Sequence, residues 1–132
     1  LTNLADIEID VPARPVADGT IFTAQRLDRT VTVGVWVMPD NQLPGILEDF
    51  IAFLVPPADT LWPRAIQSIA DIPAAERRFI PERQSKAEMH TWLAWQKEPG
   101  KPLGLAIRAR YLDINLPQAQ RFMGWLQRLF DF

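Results

Sequence analysis

The residues best suited to chemistry lie between positions 30 and 55, in the stretch TVTVGVWVMPDNQLPGILEDFIAFLV, where Asp40, Asn41, Glu48 and Asp49 follow an apolar run. Carboxylates gathered about 4 Å apart repel by roughly 4 kcal/mol at an effective dielectric constant near 20, and a cation between them removes that cost. Magnesium fits this need, because it takes oxygen ligands and keeps several waters, so one or two carboxylates per ion suffice; manganese is the natural substitute. With Asp40, Glu48 and Asp49 as ligands, the ion would polarise a phosphodiester and activate water, and Asn41 would orient water or substrate. The same residues also have a plainer use. Glu48 and Asp49 near a helix N-terminus gain roughly 0.3–1 kcal/mol from its dipole, and Asp40 and Asn41 are ordinary turn formers.

Two further groups could complete such a site. Lys86 and His90 are four residues apart and share one side of a helix; Lys86 would neutralise a phosphate or a developing charge, with His90 as an auxiliary base or hydrogen-bond donor. The competing reading is a solvated face with the histidine partly packed. Arg108 and Arg110, with Lys97 and Lys101 nearby, form the densest basic stretch of the second half. That stretch is where substrate phosphates would be held, unless it is simply solvated. Near the front, Asp6, Glu8 and Asp10 alternate with Ile7, Ile9 and Val11. This period of two predicts a short half-buried edge strand with its acids in solvent.

The elements that must position these groups follow from periodicity. Val31–Met38 is almost continuously apolar, which suits a strand covered on both faces in a parallel or mixed sheet. Pro39 ends it, leaving Asp40 and Asn41 just past its C-terminal end, where open α/β sheets place ligands. Thr20–Ala24 is a second strand candidate, joined to the first by a hairpin-like connection at Arg26–Arg29. Pro44 and Gly45 open a helix with Leu47, Phe50, Ile51 and Leu54 as its apolar stripe. Thr60, as the better cap than Asp59, starts a second helix striped by Leu61, Ala65, Ile69 and Ile72. A third helix is predicted from Glu82 to about Gln96 with Met89, Trp92 and Leu93 inward, and a short helix is favoured over a strand in 102–111. A last helix from Pro117 to about Phe130 should dock on the sheet through Ala119, Phe122, Met123, Leu126, Leu129 and Phe130.

Composition narrows the function classes. A chain of 132 residues with 48% apolar content and five tryptophans makes one packed domain, burying roughly two-thirds of its unfolded surface. The absence of cysteine excludes disulfides, zinc–thiolate sites and cysteine nucleophiles, and a single histidine excludes a multi-histidine metal site. No apolar run approaches the roughly 20 residues of a membrane helix, so a cytoplasmic protein without a membrane partner is expected. A net charge of −2 argues against a broadly nucleic-acid-coating surface, though not against a local basic patch. The chain opens on Leu1 and shows no signal-peptide pattern, which suggests trimming at its front.

The segments GVWVMPDNQLPGILEDF, KAEMHTWLAW and FMGWLQRLF resemble an uncharacterised prokaryotic family related to the TOPRIM domain of topoisomerases, primases and OLD-type nucleases. The resemblance covers roughly residues 18–132, and its most specific part is Met-Pro-Asp-Asn followed by Leu-Glu-Asp-Phe. It implies an α/β, TOPRIM-like fold with flanking helices. It also implies a magnesium-dependent nuclease or phosphotransfer domain acting on nucleic acid, with Asp40, Asn41, Glu48 and Asp49 as the acidic part of its site. The strand–glutamate and buried-strand Asp-x-Asp of that pattern are not found here, and similar proteins look longer at the N-terminus, so the chain reads as the C-terminal portion of a longer protein. The alternative from a different class is a non-catalytic interaction or structural domain.

Overall fold

The computed structural model describes residues 14–131; the edge strand expected at residues 7–11 lies outside them. The fold is α/β, a two-stranded antiparallel sheet with flanking helices. Strands β1 (Thr20–Arg26) and β2 (Arg29–Val35) pair from Thr20↔Val35 to Arg26↔Arg29. Leu27 and Asp28 form the tight connection expected between Arg26 and Arg29, with Leu27 at φ +55°. Five α-helices follow among the described residues: α1 (Leu47–Ala52), α2 (Leu61–Ala70), α3 (Gln84–Ala94), α4 (Leu103–Arg108) and α5 (Pro117–Phe130).

The central strand differs from its expectation. It runs antiparallel, ends at Val35 and is covered by helix on one face. Gly34 lies against Leu129 and Trp125 of α5, so close that an added Cβ would fall 2.4 Å from Leu129 Cδ2. The alternate residues point away from that helix, and Val31 and Val35 are 43% and 40% exposed, as is Val37, two residues past the strand, at 42%. A run of β-branched residues reads alike in both situations, because β propensity and burial both select valine. The covered side is marked instead by its glycine.

The main core is helical. Phe50, Ile51, Leu54 and Val55 of α1 and its C-terminal turn meet Ala65 of α2, Met89, Trp92 and Leu93 of α3, Ala106 of α4 and Ala119 of α5. The stripes of α1 and α3 are therefore as expected, except that Leu47 is exposed at the start of α1. On α5, Met123 and Phe130 are also exposed, leaving a narrower stripe centred on Trp125. Trp125 donates its Nε1–H to the Thr20 carbonyl at 3.2 Å and packs over Gly19, whose φ of +86° and missing Cβ admit the indole. Trp36, Phe50, Phe122 and Trp125 form an aromatic chain with centroids 5.1–5.6 Å apart, tying the hairpin to α1 through α5.

Thr60 precedes α2, but its side chain makes no capping bond. Asp59 does that work: its Oδ1 accepts from the N–H groups of Leu61 and Trp62 at 2.9 and 2.7 Å, and from Trp92 Nε1 at 3.1 Å. The tertiary partner explains the choice, since only the residue one position earlier can reach both the helix end and the buried indole.

Candidate functional site

The four acidic-segment residues have separate uses. Asp40 sits in the turn after β2, where its Oδ1 accepts from the N–H groups of Gln42 and Leu43 at 3.1 and 2.8 Å. Asn41 adopts φ +64° and is buried. Its Oδ1 accepts from Val37 N–H at 2.7 Å and its Nδ2 donates to the Ala17 carbonyl at 3.3 Å, which pins the turn to the segment entering β1. Asp49, at the third position of α1, accepts from the Ile46 N–H at 2.7 Å. This is one half of a capping box; the reciprocal half needs a polar side chain that isoleucine lacks.

Glu48 is different. It faces inward, 7% exposed, at the start of α1, and α3 brings Lys86 and His90 to it. Lys86 Nζ lies 3.7 Å and His90 Nε2 3.9 Å from Glu48 Oε1, the second contact being an ion pair when the imidazole is protonated. Both side chains are about half exposed, at 52% and 53%. A sheltered carboxylate thus faces a lysine and a histidine whose outer sides meet water. The one-turn spacing of Lys86 and His90 places them on the side of α3 that packs beside α1, as expected.

Beside this cluster runs an open groove of about 490 Å³ lined by Ile46, Leu47, Glu48, Ile80, Glu82, Arg83 and Lys86. Arg83 was not foreseen as a site residue. It is the N-cap residue of α3, one turn before Lys86.

Among the described residues, no three Asp, Glu, His or Cys side chains are gathered to hold a metal ion. One oxygen each of Asp40 and Asp49 is taken by backbone N–H groups, and Glu48 faces Lys86 and His90.

Arg108 and Arg110 lie elsewhere, in a groove of about 550 Å³ walled by Pro56, Ile107, Ile114 and Asn115. Arg110 is the residue after the C-cap of α4 and takes φ +61°. Its N–H bonds the Ile107 carbonyl at 3.0 Å and the next N–H, of Tyr111, bonds the Ala106 carbonyl at 3.1 Å. This Schellman closure usually employs glycine, and the left-handed backbone costs another residue roughly 1–2 kcal/mol. Neither guanidinium has a hydrogen-bond or ion-pair partner among the described residues. Lys101, by contrast, pairs with Glu98 at 2.6 Å, and that hydrogen-bonded carboxylate raises its pKa above the ordinary 10.5.

Compared with known families, residues 2–131 match one described as a protein of unknown function, DUF3226. No curated protein and no solved structure matches the chain.

Proposed function

The chain belongs to the DUF3226 family, and we propose that within it this domain handles phosphate esters, as a TOPRIM-like nuclease or phosphotransfer domain acting on nucleic-acid phosphodiesters. The observation that carries this reading is the buried Glu48 holding Lys86 and His90 at the edge of an open groove. Lys86 and Arg83 supply positive charge for a phosphate lying in that groove. His90, oriented through Nε2 by the carboxylate, moves a proton at its other ring nitrogen. In hydrolysis of a diester, a water oxygen bonds to phosphorus as the ester oxygen leaves. The leaving oxygen takes the proton from His90, and the attacking water releases its own to solvent. The TOPRIM-like part of this reading rests on the sequence resemblance over roughly residues 18–132.

Magnesium has no gathered ligand set here: Asp40 and Asp49 each keep one oxygen without a backbone N–H partner, but among the described residues no three candidate ligands come together, and Lys86 opposes a divalent charge at Glu48. No step above uses the ion.

The test is cleavage and binding of labelled single- and double-stranded DNA and RNA, with magnesium, with manganese and with a chelator. Wild-type protein is expected to bind and cut at least one substrate, Lys86→Met to weaken binding, and His90→Ala to lose turnover while still binding. Cleavage unchanged in both variants, or no binding by the wild type, would sink the reading.

A second reading, a non-catalytic interaction or structural domain, is favoured by one observation: the exposed valine face of the hairpin. Scattered exposed apolar residues need no explanation, but aligned ones mark interaction surfaces.

A further inference from the structure

The groove at Arg108 and Arg110 is a different place from the Glu48 cluster. It opens at the C-terminal end of the α1 segment, where the Asp113 N–H bonds the Leu54 carbonyl at 2.7 Å and Pro56 forms a wall. We propose that this groove binds a nucleoside monophosphate. The inference goes beyond the phosphoester reading and stands on other residues.

Three features define the ligand. The first is charge: two guanidiniums border one groove without protein partners among the described residues. Such forks match the oxygens of a terminal phosphate in bidentate fashion. The αL backbone of Arg110 sets where the second fork leaves the chain, just past the end of α4 and two residues from Arg108. The second feature is shape. Ile107 and Ile114 are 39% and 41% exposed on the groove walls, an apolar lining for the flat face of a base in a space of the size small-molecule sites use. The third is a carboxylate in the same lining, Asp113. Its Oδ1 accepts from Asn115 N–H and Nδ2 at 2.9 and 3.2 Å, which leaves Oδ2 to accept from a hydroxyl or an amino group. A ligand that suits both the arginines and this carboxylate carries an anion and hydrogen-bond donors in one molecule, as a nucleotide does.

The experiment is calorimetric titration of the full chain with adenosine monophosphate, adenosine and inorganic phosphate, on wild type, Arg108→Gln, Arg110→Gly and Lys86→Met. Arg110→Gly is the decisive variant, because glycine suits the left-handed position and the fold should survive with an unchanged or higher Tm. Wild type should bind the nucleotide about ten-fold more tightly than either fragment. Arg108→Gln and Arg110→Gly should each weaken it about ten-fold, the equivalent of one charge-assisted hydrogen-bonded pair. Lys86→Met should leave it unchanged. Adenosine or inorganic phosphate binding as well as the nucleotide overturns the assignment, as does nucleotide binding that Arg110→Gly leaves intact or no binding by the wild type. A loss of binding confined to Lys86→Met would move the nucleotide to the other groove and overturn it too. Loss of nuclease activity in His90→Ala with nucleotide binding retained separates this inference from the phosphoester reading.

Discussion

The carboxamide of Asn41 is 6% exposed and uses both ends, accepting from Val37 and donating to Ala17. Asn41→Asp keeps the shape but turns the donor into a second acceptor against the Ala17 carbonyl and buries a charge. The expected loss is about 2–3 kcal/mol, seen as a lower urea midpoint at unchanged m-value. A midpoint within error of wild type would show that the bond to Ala17 contributes nothing. Lys101 illustrates the opposite, solvent-facing case. Its pKa is raised because the folded chain brings Glu98 to it. The stabilisation is therefore complete below the unfolded value of 10.5 and is lost as pH climbs through the higher folded value. In an NMR titration Glu98→Gln should lower the Lys101 midpoint; an unmoved midpoint would remove Glu98 as the cause. At this scale residue type was a partial guide. Lys86 and His90 share a helix side as their spacing suggested, but it is Glu48 that they meet, whereas Asp40, Asn41 and Asp49 serve the backbone, because short polar side chains satisfy nearby N–H groups before they can reach a distant ligand.

Among the elements, α2 shows how a helix start is decided. Both Asp59 and Thr60 are good caps by type, but Asp59 Oδ1 takes three donors, one of them the buried Trp92 indole. Asp59→Ala should cost about 1–3 kcal/mol, through lost capping and an orphaned indole N–H. Thr60→Ala should stay within about 0.5 kcal/mol of wild type. Chemical denaturation of both variants checks the contrast, and equal losses would return the cap to Thr60. Helix existence was legible throughout, since 3.6-residue periodicity and flanking prolines mark α1, α2, α3 and α5. The cap was not, because its deciding partner lies 33 residues away.

For the molecule as a whole, the uneven dressing of the hairpin is the main consequence. One face is closed by α5, and the other presents Val31, Val35 and Val37. Replacing these three by threonine keeps β-branching while wetting the surface. The variant should unfold within about 0.5 kcal/mol per position of wild type and bind markedly less of an apolar dye in the native state. Undiminished dye binding would mean that the valine face is not the exposed apolar surface. If the interaction reading holds, the same variant also loses any self-association seen by light scattering. Among the described residues no helix is long and apolar enough to cross a membrane, so this face is not part of a helical span.

What the sequence determined by itself is local: the hairpin connection, the helices with much of the inward stripes of α1, α2 and α3, and the one-turn spacing of Lys86 and His90, all set by interactions among near neighbours. The tertiary structure alone decided which face of β2 is covered, which carboxylate lies under Lys86 and His90, and that Arg108 and Arg110 border a groove apart from Glu48. Each of these depends on contacts between residues far apart in the chain, which periodicity cannot carry. Two valine-rich strands of identical pattern differ only in whether a helix such as α5 finds a Gly34 to lie against.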